Sequence, residues 1–176
     1  MRRWGSALLL LLAVWGLAAC ARGQTRFSGR RAYAHVRRLV AMGPRYVGSP
    51  GNRQAGDYII AQLRRYGWEV STHEFAYRNR NLRNIIAQKG AGPIVLVGTH
   101  YDTRPLADRD PHDRSQPVPG ANDGGSGAGV LLELARVLRA PATEQAQIWL
   151  VFFDGEDRGE IENWPYSVGA YQLVND

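Results

Sequence analysis

Ile94-Val95-Leu96-Val97-Gly98-Thr99-His100-Tyr101-Asp102 opens the stretch, running to Asp157, whose reading decides the fold. Its apolar run reads as a buried strand that delivers a histidine and a carboxylate at its carboxyl end. A loop rich in Pro, Asp and Arg follows, then Gly120-Ala121-Asn122-Asp123-Gly124-Gly125-Ser126-Gly127. An apolar-periodic helix from about Ala128 to Leu138 comes next, which puts Asp123 at a helix mouth. A second apolar run, Ile148 to Phe153, ends in Asp154-Gly155-Glu156-Asp157. Strand, loop, helix and strand in this order predict an α/β fold with a mixed, largely parallel central sheet flanked by helices.

Ligands of open α/β sheets bind just outside the carboxyl ends of the parallel strands, where residues distant in sequence converge. His100, Asp102, Asp123, Glu156 and Asp157 all have that address. One histidine among carboxylates suits zinc, which takes nitrogen and oxygen ligands, better than magnesium, which prefers oxygen and retained waters. Any one of these residues alone would be an ordinary solvated loop residue. Five of them at the ends of two strands and one helix point to a site, although spacing does not give the order of ligands.

Three segments then carry a resemblance: Thr99-His100-Tyr101-Asp102, Gly120-Ala121-Asn122-Asp123 with its Gly-Ser-Gly continuation, and Phe152-Phe153-Asp154-Gly155-Glu156-Asp157. In order and spacing they resemble the motifs of the zinc aminopeptidase family, peptidase family M28, and its glutaminyl-peptide cyclotransferase relatives. The match runs from about Tyr46 to the end of the chain. Phe-Phe-Asp-Gly-Glu, the following Trp164, and Tyr46-Val47-Gly48-Ser49-Pro50-Gly51 lean toward the cyclotransferase branch. Gly169-Ala170 stands where the family usually has Gly-Ser.

The resemblance implies a zinc-exopeptidase-like fold, one or two zinc ions, and roles for single residues. Asp123, Asp157 and His100 would be metal ligands, with Asp157 a shorter carboxylate than the family's frequent glutamate. Glu156 would be the general acid/base, Asp102 would orient His100 within the catalytic group, and Trp164 would wall the substrate pocket. A cis peptide bond is implied after Asp123. The substrate implied is a peptide or protein N-terminus, handled by cyclotransferase chemistry or by hydrolysis of the first peptide bond. The resembling families draw further ligands from beyond the Glu-Asp motif, and only 19 residues follow Asp157 here. The expectation is therefore an N-terminal part, residues 30–176, of a zinc-exopeptidase-like domain. A non-catalytic binding lipoprotein or an inactive fragment is the reading from a different class.

At the amino end, Met1-Arg2-Arg3-Trp4 is a short basic start and Ala7 to Leu17 is apolar throughout. A bilayer span needs ~20 apolar residues, so this segment reads as a secretory signal over residues 1–19. Leu17-Ala18-Ala19-Cys20 resembles the lipobox of bacterial lipoproteins, with Cys20, the only cysteine, as the lipidation site. Residues 20–29 would be a tether, and the protein would be an exported lipoprotein on the outer face of the cell membrane. Removing Arg2 and Arg3 leaves 20 basic residues against 16 acidic, a net charge of +4. The basic residues are scattered, almost all arginine, and form no nucleic-acid module.

Between tether and strand the pattern is structural. Tyr33, Val36 and Val40 share a helical face that Gly43-Pro44 ends, and Ser49-Pro50 starts a longer helix with Ala55, Tyr58, Ile59, Leu63 and Tyr66 as its buried stripe. Strands follow around Trp68 to Thr72 and Asn81 to Gln88. His35 and His73 read as packing or surface residues rather than ligands, and His112, in the proline-rich loop between Asp102 and Gly120, reads as a loop residue for which a lid or substrate-contacting role stays open rather than as a ligand.

Overall fold

The computed structural model describes residues 26–139 and 145–176. The expected signal, Cys20 and most of the tether lie outside the described residues. No helix among the described residues is long and apolar enough to cross a membrane.

Helix α1 (Gly29–Val40) starts at the N-cap Ser28 and buries Ala32, His35, Val36 and Leu39. Tyr33, expected on that face, is exposed, because it lies off the 32/35/36/39 stripe. Helix α2 (Pro50–Arg65) begins as the sequence predicts: the Ser49 hydroxyl accepts the backbone N–H of Asn52 at 3.0 Å, and Pro50 fills a position where no N–H is needed. Its Ala55, Ile59 and Leu63 are fully buried. Strands β1 (Glu69–Tyr77) and β2 (Arg80–Ala91) form a hairpin across Arg78 and Asn79, both at positive φ, as a two-residue type I′ turn requires. Then come β3 (Ile94–His100), α3 (Gly125–Val137), β4 (Ala146–Phe153), a single 3-10 turn at Ile161–Asn163, and α4 (Val168–Asn175).

The four strands lie in the order β1-β2-β4-β3, with β1–β2 and β2–β4 antiparallel and β3–β4 parallel. The sheet is thus mixed, and among the described residues only the β3–β4 pair is parallel. That pair positions the site, because α3 carries the chain back so that His100 and Phe153 become register partners. The residues following each strand leave the sheet side by side.

Period-two alternation splits the strands between two cores. Ile85, Ala87, Leu150 and Phe152 pack with Ala55, Ile59 and Leu63 of α2 and with Leu131, Leu132 and Ala135 of α3. Leu82 joins Val47, Trp164 and Val168 in a smaller cluster. On that side Asn84 donates to the Gly169 carbonyl at 2.8 Å, tying α4 to β2.

Strand β3 corrects one expectation. Its apolar run reads as buried, yet Ile94, Val95, Leu96 and Val97 are 39–54% exposed. The strand order supplies the reason. β3 is an edge strand, and no described element pairs with its outer side.

Candidate active site

Tyr101 fixes the end of β3. Its ring is fully buried, its N–H donates to the Phe153 carbonyl at 3.0 Å, and its hydroxyl donates to the Arg83 carbonyl at 3.0 Å. Asp102, also fully buried, reaches across to the segment after β4: Oδ1 accepts the N–H of Glu156 at 3.1 Å and Oδ2 that of Asp157 at 3.0 Å. The acid that closes one strand therefore shapes the turn that closes the other. Asp102 is out of reach of solvent, and both of its oxygens are taken up in holding that turn.

His100 faces three carboxylates. Its Nε2 lies 2.9 Å from Asp123 Oδ1, and its Nδ1 lies 3.4 Å from Asp102 Oδ1 and 3.8 Å from Glu156 Oε2. The Nδ1 contacts are ion-pair distances rather than aligned hydrogen bonds. Burial alone would lower the imidazole pKa, but Asp102 first, then Glu156 and Asp123, raise it to about 9.

Asp123 is presented by the turn before α3, in which Gly120 and Gly124 both have positive φ. A Cβ on Gly124 would sit 2.5 Å from the Asp102 carbonyl, so only glycine brings the turn this close to the strand end. The cis bond expected after Asp123 is absent; every peptide bond among the described residues is trans. Gly124, at φ 68° and ψ −41°, makes the turn instead.

Asp157 is buried, and Arg104 stands beside it, with Nη1 3.7 Å from Oδ1. Its Oδ2 is buried without a hydrogen-bond partner among the described residues. Desolvation, then the charges of Asp123 and Asp102, raise its pKa to about 6. Glu156 is partly open, and the Ser167 hydroxyl donates to its Oε1 at 3.4 Å. A cleft of ≈ 500 Å³ gathers His100, Asp123, Glu156 and Asp157 with Arg104, Arg109 and Tyr166. Four of the five residues singled out in the sequence thus line one cavity, with Asp102 beneath it.

Trp164 is a correction. It does not line this cleft but is 4% exposed in the smaller core, edge-on to Tyr77 at 4.9 Å and under the Arg158 guanidinium at 5.1 Å. The turn at Ile161–Asn163 folds it inward, and Tyr166, two residues on, forms the cleft wall instead. His35 packs against the Tyr58 hydroxyl at 2.6 Å, His73 pairs with Asp176 at 2.7 Å, and His112 is an exposed loop residue, so none of the three joins the site.

Sequence reasoning passed over Arg45. Fully buried, it donates to the carbonyls of Tyr101 at 2.9 Å, Pro119 at 3.1 Å and Gly120 at 2.6 Å, joining the end of β3 to the turn that carries Asp123. Its one signal was an arginine set between Gly43-Pro44 and the Tyr46-Val47-Gly48 segment.

The donors fit zinc in kind: an imidazole nitrogen, the carboxylate of Asp123, and a buried carboxylate oxygen of Asp157 with no hydrogen-bond partner among the described residues. As they stand, no three of His, Cys, Asp and Glu among the described residues are grouped to hold an ion. His100 and Asp123 meet at 2.9 Å, and Asp157 lines the same cleft.

The sequence pattern of Peptidase family M28 matches residues 84–175. Aminopeptidase YwaD of Bacillus subtilis is 36% identical over 96 residues, 52% of this chain and 18% of that protein. Among solved structures, the glutaminyl cyclase of Tannerella forsythia superposes with TM-score 0.69 at 36% identity, covering 78% of this chain and 53% of that one. A Zn-dependent exopeptidase from Parabacteroides distasonis gives TM-score 0.75 at 34% identity, over 88% of this chain and 57% of that one. The chain spans about half the length of these solved relatives. The matched segment begins on β2 and takes in both strand ends, the Asp123 turn and the Glu156-Asp157 turn, and by that match the chain belongs to peptidase family M28.

Proposed function

We propose that this chain forms the N-terminal part of a zinc-dependent enzyme acting on peptide N-termini, with glutaminyl-peptide cyclotransferase as the reading placed first. The observation that carries the proposal is the double capping of Glu156 and Asp157 by Asp102, which turns both toward the cleft that holds His100 and Asp123. Family membership and the solved glutaminyl cyclase support the same reading. Asp123, Asp157 and His100 would hold the ion. Bound there, zinc would act as a Lewis acid on a substrate carbonyl.

The remaining chemistry falls to the chain. Glu156 is the one carboxylate of the cleft that is both partly open and free of an assigned ligand role, so it receives and returns the proton. In cyclisation that proton comes from the α-amine of an N-terminal glutamine and leaves with ammonia. In hydrolysis it comes from the attacking water and leaves with the new amine. Asp102 keeps the Glu156 backbone fixed while the side chain moves its proton. Tyr166 and Arg109 flank the position that the substrate would take.

The aminopeptidase reading is favoured by the 36% identity to an aminopeptidase of Bacillus subtilis. Offering glutaminyl peptides and leucyl anilides to the zinc-loaded full-length protein separates the two. Ammonia release supports cyclisation and arylamine release supports hydrolysis. Neither product, from protein shown to bind zinc, would reject both.

A further inference from the structure

A second cleft, of ≈ 710 Å³, shares no lining residue with the one that holds His100. Its walls are the start of α2 and the turn end of the β1–β2 hairpin, and three guanidinium groups line it: Arg53, Arg80 and Arg83. Arg83 is already committed, to Asp57 at 2.9 Å and to the Arg53 carbonyl at 3.2 Å. The other two crowd Gly48. Arg53 donates to its carbonyl at 3.0 Å, and Nη1 of Arg80 lies 3.5 Å from where a Cβ on Gly48 would stand.

Among the described residues neither Arg53 nor Arg80 has an ion-pair partner. Acids in the lining do not compensate them. Glu74 is the cross-strand neighbour of Arg83. Asp154, on the floor, is occupied by the amide of Asn52 and the N–H groups of Arg83 and Gly155. Glu162 feels the Arg80 charge from outside the lining but is itself paired with Arg158. Two neighbouring guanidinium groups with no ion-pair partner among the described residues still repel each other, and an oxyanion between them removes the repulsion while engaging their remaining donors. The amides of Asn79 and Asn81 add uncharged donors to the same wall.

We propose that this cleft binds a phosphate group through Arg53 and Arg80. A phosphate carries close to two negative charges near neutral pH and so matches two monovalent cations better than a carboxylate does. The phosphate could be free or part of a lipid headgroup, and the test separates these sources.

The full 176-residue chain is titrated with inorganic phosphate at constant ionic strength, with acetate as the comparison, while the arginine Nε–H resonances are followed. Saturable shifts confined to Arg53 and Arg80 are expected, together with at least tenfold weaker binding in Arg80→Gln or Arg53→Gln and unchanged binding in Arg30→Gln. Amide spectra of the variants establish that they remain folded. Sedimentation with phosphatidylcholine vesicles, with and without phosphatidic acid, identifies the source. Retention that free phosphate competes away marks a headgroup site, and no retention marks a free-phosphate site. Phosphate shifts no larger than those of acetate, or equal affinity in folded Arg80→Gln and Arg53→Gln, would overturn the proposal.

Discussion

Asp102 Oδ2 accepts the backbone N–H of Asp157 at 3.0 Å while its Oδ1 takes that of Glu156 at 3.1 Å, across 54–55 residues of sequence. One fully buried carboxylate thereby satisfies two donors of a turn that would otherwise have to find them elsewhere. It follows that Asp102 acts on fold and site together. In Asp102→Ala both N–H groups lose their acceptor, at about 1–3 kcal/mol for each buried donor left unsatisfied. Chemical denaturation should show that loss. A variant as stable as the parent would mean that the turn is held by something other than Asp102.

Glu156→Gln separates folding from chemistry. Glutamine keeps the shape and can still accept from the Ser167 hydroxyl through its amide oxygen, so stability and zinc stoichiometry should hold. General acid/base help is typically worth about a hundred- to ten-thousand-fold, and turnover should fall by that order. Loss of zinc instead would make Glu156 a ligand.

The site's titrations set the sign of a pH dependence. In metal-free protein His100 is raised to about 9, so below that it holds a proton that zinc must displace. At pH 7.5 zinc binding should release close to one proton, readable by calorimetry in buffers of different ionisation enthalpy. Asp157, raised to about 6, adds a second proton below that value, and affinity should fall more steeply there. Stability of the metal-free protein runs the opposite way, falling as pH rises. His100 contributes fully below about 6.5 and its contribution is lost as pH rises through 9, whereas Asp157 penalises the fold once pH climbs from about 4 through 6. Zinc-loaded protein should lack the His100 loss.

The sequence made the strand ends legible because a short apolar run rich in β-branched residues that stops at charged or polar residues reads as a strand giving way to a loop. The Ser49 cap was legible for the same reason: serine before proline satisfies a helix end locally. Features set by partners across the fold were not. An apolar run states that Ile94 to Val97 can be buried, but strand order decides whether it is, and here the run lies at the edge. Trp164 stood near the motif in sequence, and a backbone turn at Ile161–Asn163 sent it into the core. Arg45 was invisible because its three acceptors are backbone carbonyls from distant segments, which no side-chain pattern records.

Cys20 lies outside the described residues, and its role rests on the sequence alone. If the lipobox reading holds, the exported protein partitions with membranes through several acyl chains, which together give stable attachment, and Cys20→Ser removes the residue that roots them and releases the protein to the soluble fraction. Unchanged partition of the variant would end that reading.

The exposed edge of β3 makes the last prediction. Ile94, Val95, Leu96 and Val97 present unpaired backbone groups on one side and apolar side chains 39–54% open. Such an edge is a template for strand addition unless a charge or a proline blunts it, and this one carries neither along its apolar run. The 176-residue chain on its own should therefore associate as its concentration rises, in a way that sedimentation velocity can follow. Val95→Lys puts a charge on the edge, five residues before His100 and away from the cleft. It should shift the chain toward monomer while zinc affinity stays as it was. If Val95→Lys associates as the parent does, the contact lies on another surface. If the parent stays monomeric throughout, the β3 edge is not an association surface.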